Sequence, residues 1–241
     1  RLQKWELALR GFGRVVHIVD DDGEAYCNMG TVYLQMGEQE GAWRAFQEAA
    51  KYQGNNWKIW QNYILVAMNL RKYSYVLLGM RSLMNIGAAS RVDLDVMGRL
   101  VLLTADGDLD EKTVVAIYDT LTELARLVSS SRVWALHALY HKQRGDVATE
   151  AEFRQKEFRA AQISGWEKDG KLFHEIVVSG EELVAVVLKL NQQKLLFSAK
   201  LALSRILKLA REYFDHSEDY NRITDLHEQV QSAIAQNKST T

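Results

Sequence analysis

One stretch, residues 23–56, constrains the fold more than any other part of this 241-residue sequence. Apolar and small residues recur there at helical spacing in two segments, and Gly37 and Glu38 mark a turn between them. Small residues let two helices approach closely, while aromatic side chains fill the space between them. The residues that define this pattern are Tyr26, Met29, Gly30, Tyr33, Ala42, Phe46 and Ala49. Because one helical pair cannot bury its apolar face alone, the stretch predicts a stack of such pairs.

The same pattern continues along the chain with less regular spacing. It is the pattern of the tetratricopeptide repeat, a helical pair of about 34 residues. Further pairs are predicted to begin at residue 57, near residue 91 and at residue 131. Residues 2–19 are interpreted as the second helix of a pair whose first helix lies outside the sequence. Ile64 stands where the repeat usually has glycine, so we expect the second pair to be more open.

The repeat spacing stops after residue 163, and three long segments with helical periodicity follow, at residues 171–191, 193–215 and 218–236. We therefore predict an all-α fold: a tetratricopeptide-repeat α-solenoid of antiparallel helix pairs over residues 1–163, with a C-terminal helical cap over residues 164–241. The chain contains no proline, which suits helix nearly throughout because proline breaks helix interiors. The expected helix boundaries lie near Asp22, Gly37, Asn56, Arg71, Ala89, Ala105, Ser130, Gly145 and Ser164.

The composition narrows the functional class. The formal net charge is −1 and 47% of the residues are hydrophobic, so the sequence carries no overall nucleic-acid-binding signature. The single cysteine, Cys27, cannot form an internal disulfide, which indicates a reducing compartment. No apolar run reaches the roughly 18 residues of a membrane-spanning helix, so we expect no membrane contact. The sequence begins at Arg1 within a helical pattern, and we therefore expect it to be part of a longer protein.

Three local runs carry a narrower resemblance. They are residues 42–49 (AWRAFQEA), residues 56–63 (NWKIWQNY) and residues 165–169 (GWEKD). With these runs the chain resembles the C-terminal half of the tetratricopeptide repeat protein 27 family. The resemblance implies a eukaryotic adaptor without catalytic activity, located in the cytoplasm, with the nucleus as a second compartment. It further implies a chaperone-linked role in assembly of the spliceosomal U5 particle, with chaperones or spliceosomal assembly factors as partners.

In this repeat fold, the first helix of each pair lines the concave face. The residues expected to bind a partner there are Asn28, Thr31, Lys58, Gln61, Asn62 and Leu65. Asparagine amides both donate and accept hydrogen bonds, so Asn28 and Asn62 suit an extended peptide backbone. A clamp for the C-terminal carboxylate of a chaperone fits less well, because Asn62 stands where that clamp needs an arginine. The sequence therefore favours a protein or peptide partner, and it does not predict an oligomeric state.

A second candidate surface is the basic segment 189–211, which contains six cations and no acidic residue. On a helix, five of them are expected to form a basic face, and a second group of residues marks the opposite, buried face. The basic face comprises Lys194, Lys200, Arg205, Lys208 and Arg211; the buried face comprises Leu195, Leu203, Ile206, Leu209 and Ala210. The segment is either a solvated helix face or a site for an acidic partner or an RNA backbone. No aromatic residue is expected on the basic face, so nucleic acid is the weaker alternative.

No pattern in the sequence predicts catalysis, a cofactor or a metal. His137 and His141 lie one helical turn apart, but the glutamate that follows the first histidine of zinc proteases is absent, so we predict that both pack inside a helix pair. Asp106, Asp108 and Asp110 resemble the start of a calcium loop that lacks the required glycine and glutamate. The sequence therefore predicts a protein that is not an enzyme.

Overall fold

The computed structural model describes residues 2–239. Within these residues the backbone forms twelve α-helices and two short 3₁₀ helices and no β-strand, which confirms the all-α prediction. The chain divides into two compact units, Arg1–Val128 and Ser129–Thr241. The first unit contains α1 (Leu2–Ile18), α2 (Gly23–Met36), α3 (Gln39–Tyr52), α4 (Trp57–Asn69), α5 (Tyr73–Asn85), α6 (Leu94–Leu103) and α7 (Glu111–Leu127). The second contains α8 (Ser131–Gln143), α9 (Val147–Ala161), α10 (Gly170–Leu190), α11 (Gln193–Phe214) and α12 (Glu218–Ser239).

Every predicted boundary lies between two α-helices, and local chemistry explains why. Gly37 and Gly145 have φ angles of 80° and 71°, in the left-handed region that glycine adopts without steric cost. Asn56 and Ser130 cap the helices that follow them: the Asn56 Oδ1 atom accepts a hydrogen bond from the backbone N–H of Lys58 at 3.1 Å, and the Ser130 Oγ atom accepts one from a backbone N–H at 3.3 Å. Short-range sequence signals therefore determine where these helices begin and end.

The helix pair α2–α3 is held together by a glycine packed against an aromatic ring. A Cβ atom added to Gly30 would lie 2.8 Å from the ring of Phe46, which is fully buried. The pair α4–α5 keeps a close contact with the sizes exchanged, because Ile64 on α4 packs against Gly79 on α5, where an added Cβ atom would lie 2.6 Å from the isoleucine. This single contact does not test the more open second pair expected from Ile64, which stays a prediction.

Helix α7 is fixed to α5 by a buried polar contact that the repeat spacing does not predict. The guanidinium of Arg81 on α5 donates hydrogen bonds to the Thr120 hydroxyl at 2.9 Å and to the Ala116 carbonyl at 3.2 Å. Thr120 is fully buried, and its own hydroxyl donates to the same carbonyl at 2.7 Å. Arg81 thus fixes α7, the last helix of the first unit, to α5.

Replacing Arg81 with methionine should destabilise the packing of α7 by about 1–2 kcal/mol, because the charged donor to the buried Thr120 hydroxyl and to the Ala116 carbonyl is lost. Faster hydrogen exchange in α7, measured by mass spectrometry, checks this. The exposed Arg99 on α6 provides the matched control, since Arg99→Met should leave exchange in α7 unchanged. Equal exchange in the Arg81 and Arg99 variants would contradict the assigned role.

The second unit packs α9 and the three long C-terminal helices around one core, and α8 packs against α9. Phe158 of α9, Phe173 of α10, Leu203 of α11 and Ile223 of α12 are all buried in it. Trp166, in the predicted break before α10, is also buried and stacks on Phe173 with ring centroids 5.8 Å apart. The three predicted long helices are therefore present, and they cover the α9 side of the fourth pair.

The division of the chain into a repeat region and a cap at residue 163 follows the end of the repeat spacing. The compact units divide instead at residue 128, because α9, the partner of α8, shares its core with α10, α11 and α12. The domain assignment 1–163 and 164–241 therefore stays a prediction. None of the described helices combines the length and the apolar character that crossing a membrane requires.

Candidate functional site

The six residues predicted to bind a partner on the concave face all lie on α2 and α4 of the first unit. We call the surface that they form the groove. Thr31, Lys58, Gln61 and Leu65 are exposed, whereas Asn28 and Asn62 are half-buried. The side chain of Leu65 is 45% exposed, so α4 presents an apolar residue to solvent beside its polar ones. The structure thus leaves all six residues accessible to a partner.

Two of the six already have hydrogen bonds inside the chain. The Thr31 hydroxyl donates to the Cys27 carbonyl of its own helix at 3.0 Å, and the Gln61 amide donates to the Arg91 carbonyl at 3.1 Å. No hydrogen bond engages the side-chain amide of Asn28 or Asn62 in the part of the chain that the structure describes. These two half-buried amides are therefore the groove groups most available to a peptide backbone.

A tryptophan at the start of α4 belongs to the same surface and was missed in the sequence. The Arg91 guanidinium lies 4.4 Å from the centroid of the Trp57 ring, and the Lys58 ammonium lies 5.7 Å from it. Both distances allow cation–π attraction, which orients the cations at one end of α4. Residues 57 and 91 are one repeat length apart, so the repeat register itself was the signal that could have paired them.

The basic face of α11 is present but differs from the prediction. Lys194, Arg205, Lys208 and Arg211 are exposed, Lys200 is half-buried, and within residues 2–239 no carboxylate pairs with any of these five cations. Lys200 lies beside His227 of α12, and the pKa of that histidine is lowered by burial and by the lysine charge. The face is therefore a set of unpaired cations in the second unit.

Apolar side chains interrupt this basic face, contrary to the sequence prediction. Leu209, assigned to the buried face, is 38% exposed, whereas Phe197 and Leu201 are 42% and 74% exposed among the cations. At about 100° per residue, Phe197 lies roughly 60° and Leu201 roughly 20° from Lys194 around the helix. The prediction that no aromatic residue lies on this face is wrong, because Phe197 is exposed and lies within about 60° of Lys194 around the helix.

The two histidines of the fourth pair are packing residues in the structure. His137 is buried and stacks on Phe153 with ring centroids 4.5 Å apart. His141 stacks on the same ring at 5.3 Å and lies 3.3 Å from the Asp146 carboxylate, and burial lowers its pKa. Among the described residues, no group of three or more histidine, cysteine, aspartate or glutamate side chains is placed to hold a metal ion.

The acidic loop before α7 has a local structural role at its last residue. Asp110 caps α7, because its side chain accepts a hydrogen bond from the Thr113 backbone N–H at 2.6 Å, which also lowers the pKa of Asp110. Capping of this kind is the ordinary function of an aspartate directly before a helix.

Comparison with known proteins agrees with this architecture. No family model matches the sequence. A TPR repeat-containing protein of Schizosaccharomyces pombe is 25% identical over 92% of the chain, and the match covers 30% of that protein. The chain has the tetratricopeptide-repeat fold. A tetratricopeptide repeat protein 27 homolog of Dictyostelium discoideum is 24% identical over 73% of the chain and 22% of its own length, which confirms the predicted resemblance to that family.

The chain is also similar to solved structures. The C-terminal part of a TPR repeat-containing protein from Cytophaga hutchinsonii aligns with 99% of this tetratricopeptide-repeat chain and with 92% of its own chain, at 11% identity and a TM-score of 0.45. The chain spans between about a fifth and a third of the length of the two curated relatives. The activity and partners of the whole proteins therefore enter below only as proposals.

Proposed function

We propose that this chain is a non-catalytic scaffold that binds a protein or peptide partner through α2 and α4 of its first unit. The observation that carries this proposal is the pair of half-buried amides of Asn28 and Asn62, to which the described part of the chain offers no hydrogen bond. Burying a polar group costs free energy unless it is hydrogen-bonded, so a peptide backbone that supplies these bonds would bind favourably. Leu65 adds an exposed apolar contact beside them.

The finer part of the proposal is an adaptor role in chaperone-linked assembly of the spliceosomal U5 particle, in the cytoplasm with the nucleus as a second compartment. It is supported by the resemblance to the tetratricopeptide repeat protein 27 family. The partners would then be a chaperone or spliceosomal assembly factors. The groove offers the amides and the Lys58 ammonium to such a partner, and it needs no cofactor to do so.

A second candidate is contact with RNA or a ribonucleoprotein through the basic face. Exposed Phe197 among unpaired cations favours this alternative, because an aromatic ring between cations is suited to base stacking. Binding of this kind would weaken steeply with added salt, since phosphate contacts release counterions. Partner binding by neutral amides would depend on salt much less.

Partner capture with the intact chain and with one groove variant tests the proposal. Asn62→Ala combined with Lys58→Ala should reduce recovery of the specific partner several-fold, as measured by quantitative mass spectrometry. Asn85→Ala combined with Lys4→Ala removes the same two side-chain types at exposed positions outside the groove and serves as the control. Partners that are lost equally from both double variants, or from neither, would count against the groove.

A further inference from the structure

A cleft in the second unit lies between α9 and α11, with α10 beneath it. Its volume is about 450 Å³, within the range of sites that hold small ligands or a few peptide side chains. We call it the α9–α11 cleft, and its lining residues are Gln155, Phe158, Arg159, Gln162, Leu183, Ser198, Ala199, Leu201, Ala202 and Arg205. No residue of this set is acidic.

The floor of the α9–α11 cleft is apolar and formed by core residues. Phe158, Leu183 and Ala199 are almost fully buried members of the core of the second unit. Leu201 stands at the rim with 74% of its surface exposed, which is unusual for a leucine that adjoins a cleft. Covering this leucine and the floor would remove apolar surface from water, which favours binding by about 25 cal/mol per Å².

Two arginines, one from each wall, give the cleft its charge. Arg159 on α9 and Arg205 on α11 are both exposed, and no carboxylate in the described residues pairs with either. The other arginine on the same part of α9, Arg154, is buried and bound to Glu157 at 2.7 Å. Arg159 and Arg205 therefore remain available, and planar guanidinium groups bind carboxylates through two parallel hydrogen bonds.

We propose that the α9–α11 cleft docks an acidic peptide that inserts one or two apolar side chains between α9 and α11 and places its carboxylates on Arg159 and Arg205. Charge complementarity selects this occupant, since an apolar floor framed by two unpaired guanidinium groups matches apolar side chains flanked by aspartate or glutamate. The site is separate in the sequence from the groove of α2 and α4. Binding at the cleft is therefore tested independently of binding at that groove.

Selection from a random library of 12-residue displayed peptides on the immobilised full chain tests the proposal. A chain carrying Ala202→Trp, which fills the cleft, is used to deplete the library of peptides that bind elsewhere. The surviving peptides should combine leucine, isoleucine or phenylalanine with aspartate or glutamate. A selection that yields no peptide sensitive to Ala202→Trp, or only peptides without acidic residues, would overturn the assignment.

Fluorescence anisotropy with the best selected peptide then assigns the charges. Arg159→Gln combined with Arg205→Gln should raise Kd at least tenfold, and both substitutions are at exposed positions, where they should leave the fold intact. Arg211→Gln, on the same helix outside the cleft, should change Kd less than twofold. Equal effects of Arg211 and of the arginine pair would overturn the proposal. The proposal would also be overturned if single-stranded RNA displaced the peptide and bound the Ala202→Trp chain as tightly as the unaltered chain. The basic face would then be a nucleic-acid site.

Discussion

Replacing Arg154 with methionine should destabilise the second unit by about 3–5 kcal/mol, because it leaves buried carboxylates without their cation. The Arg154 side chain is only 7% exposed. Its guanidinium lies 2.7 Å from Glu157 on the same helix and 2.9 Å from Glu182 on α10, with Glu150 at 3.9 Å. Loss of this one side chain therefore removes the ion pairs within α9 and the ion pair that joins α9 to α10.

The effect of Arg154→Met should also depend on pH. Burial raises the pKa of Glu157, and the Arg154 charge partly opposes that increase. A carboxyl group whose pKa is higher in the folded state binds more protons there, so its penalty is absent at low pH and fully present above the folded pKa. Without Arg154 the opposing charge is gone, and the loss of stability should be smaller at pH 5 than at pH 8.

Urea unfolding followed by circular dichroism measures this loss, and hydrogen exchange assigns it to α9 and α10. Lys142→Met is the matched control, because Lys142 pairs with the same Glu182 at 3.6 Å but is exposed to solvent. An exposed pair contributes about 1 kcal/mol or less. Equal losses for the two variants, or a loss from Arg154→Met that grows as the pH falls, would show that the buried network is not what stabilises this unit.

Replacing Gly30 with leucine should destabilise the first unit by about 1–3 kcal/mol through overpacking. Even a single added carbon would lie within 2.8–2.9 Å of three ring atoms of Phe46. Because Phe46 is fully buried between the helices of its pair, the ring cannot turn into solvent to make room. The helices α2 and α3 would have to separate, which exposes their shared core.

Further variants make the Gly30 measurement specific. Gly11→Ala on α1 adds a carbon where no atom lies within 4 Å, so it should stabilise the chain by about 0.5–1 kcal/mol through the higher helix propensity of alanine. Gly30→Ala should cost less stability in a chain that carries Phe46→Leu than in the unaltered chain, because the smaller side chain leaves room for the added carbon. Thermal unfolding provides both comparisons, and an unchanged Tm for Gly30→Leu would mean that the repeat register is wrong.

The sequence predicts helix boundaries well because the signals for them are local. Gly37 and Ser130 act within a few residues of their own positions, through a positive φ angle and a side-chain cap. Packing between helices was harder to predict. In the pair α4–α5 the small residue is Gly79 on α5, and the large residue, Ile64, stands where the repeat usually has glycine. This exchange is recognisable only when both helices are considered together.

The candidate sites divide in the same way. The exposure of Leu65 and the half-buried position of Asn62 on α4 follow from the repeat register, which the sequence contains. The α9–α11 cleft needs residues from three helices that span positions 155–205, and the spacing along one helix does not report on the others. Arg154 belongs to the same class, because its partner Glu182 is 28 positions away on α10.

The kinetics of the complex with the captured partner test the central proposal most directly. Asn62→Ala with Lys58→Ala should speed dissociation, because these side chains contact the bound partner in the proposed complex. Lys194→Glu with Lys208→Glu should instead slow association, and added salt should remove that difference, since exposed cations act over about one Debye length. If the groove pair leaves dissociation unchanged while the charge reversal alone abolishes binding, then α11 is the partner site and the groove of α2 and α4 is not.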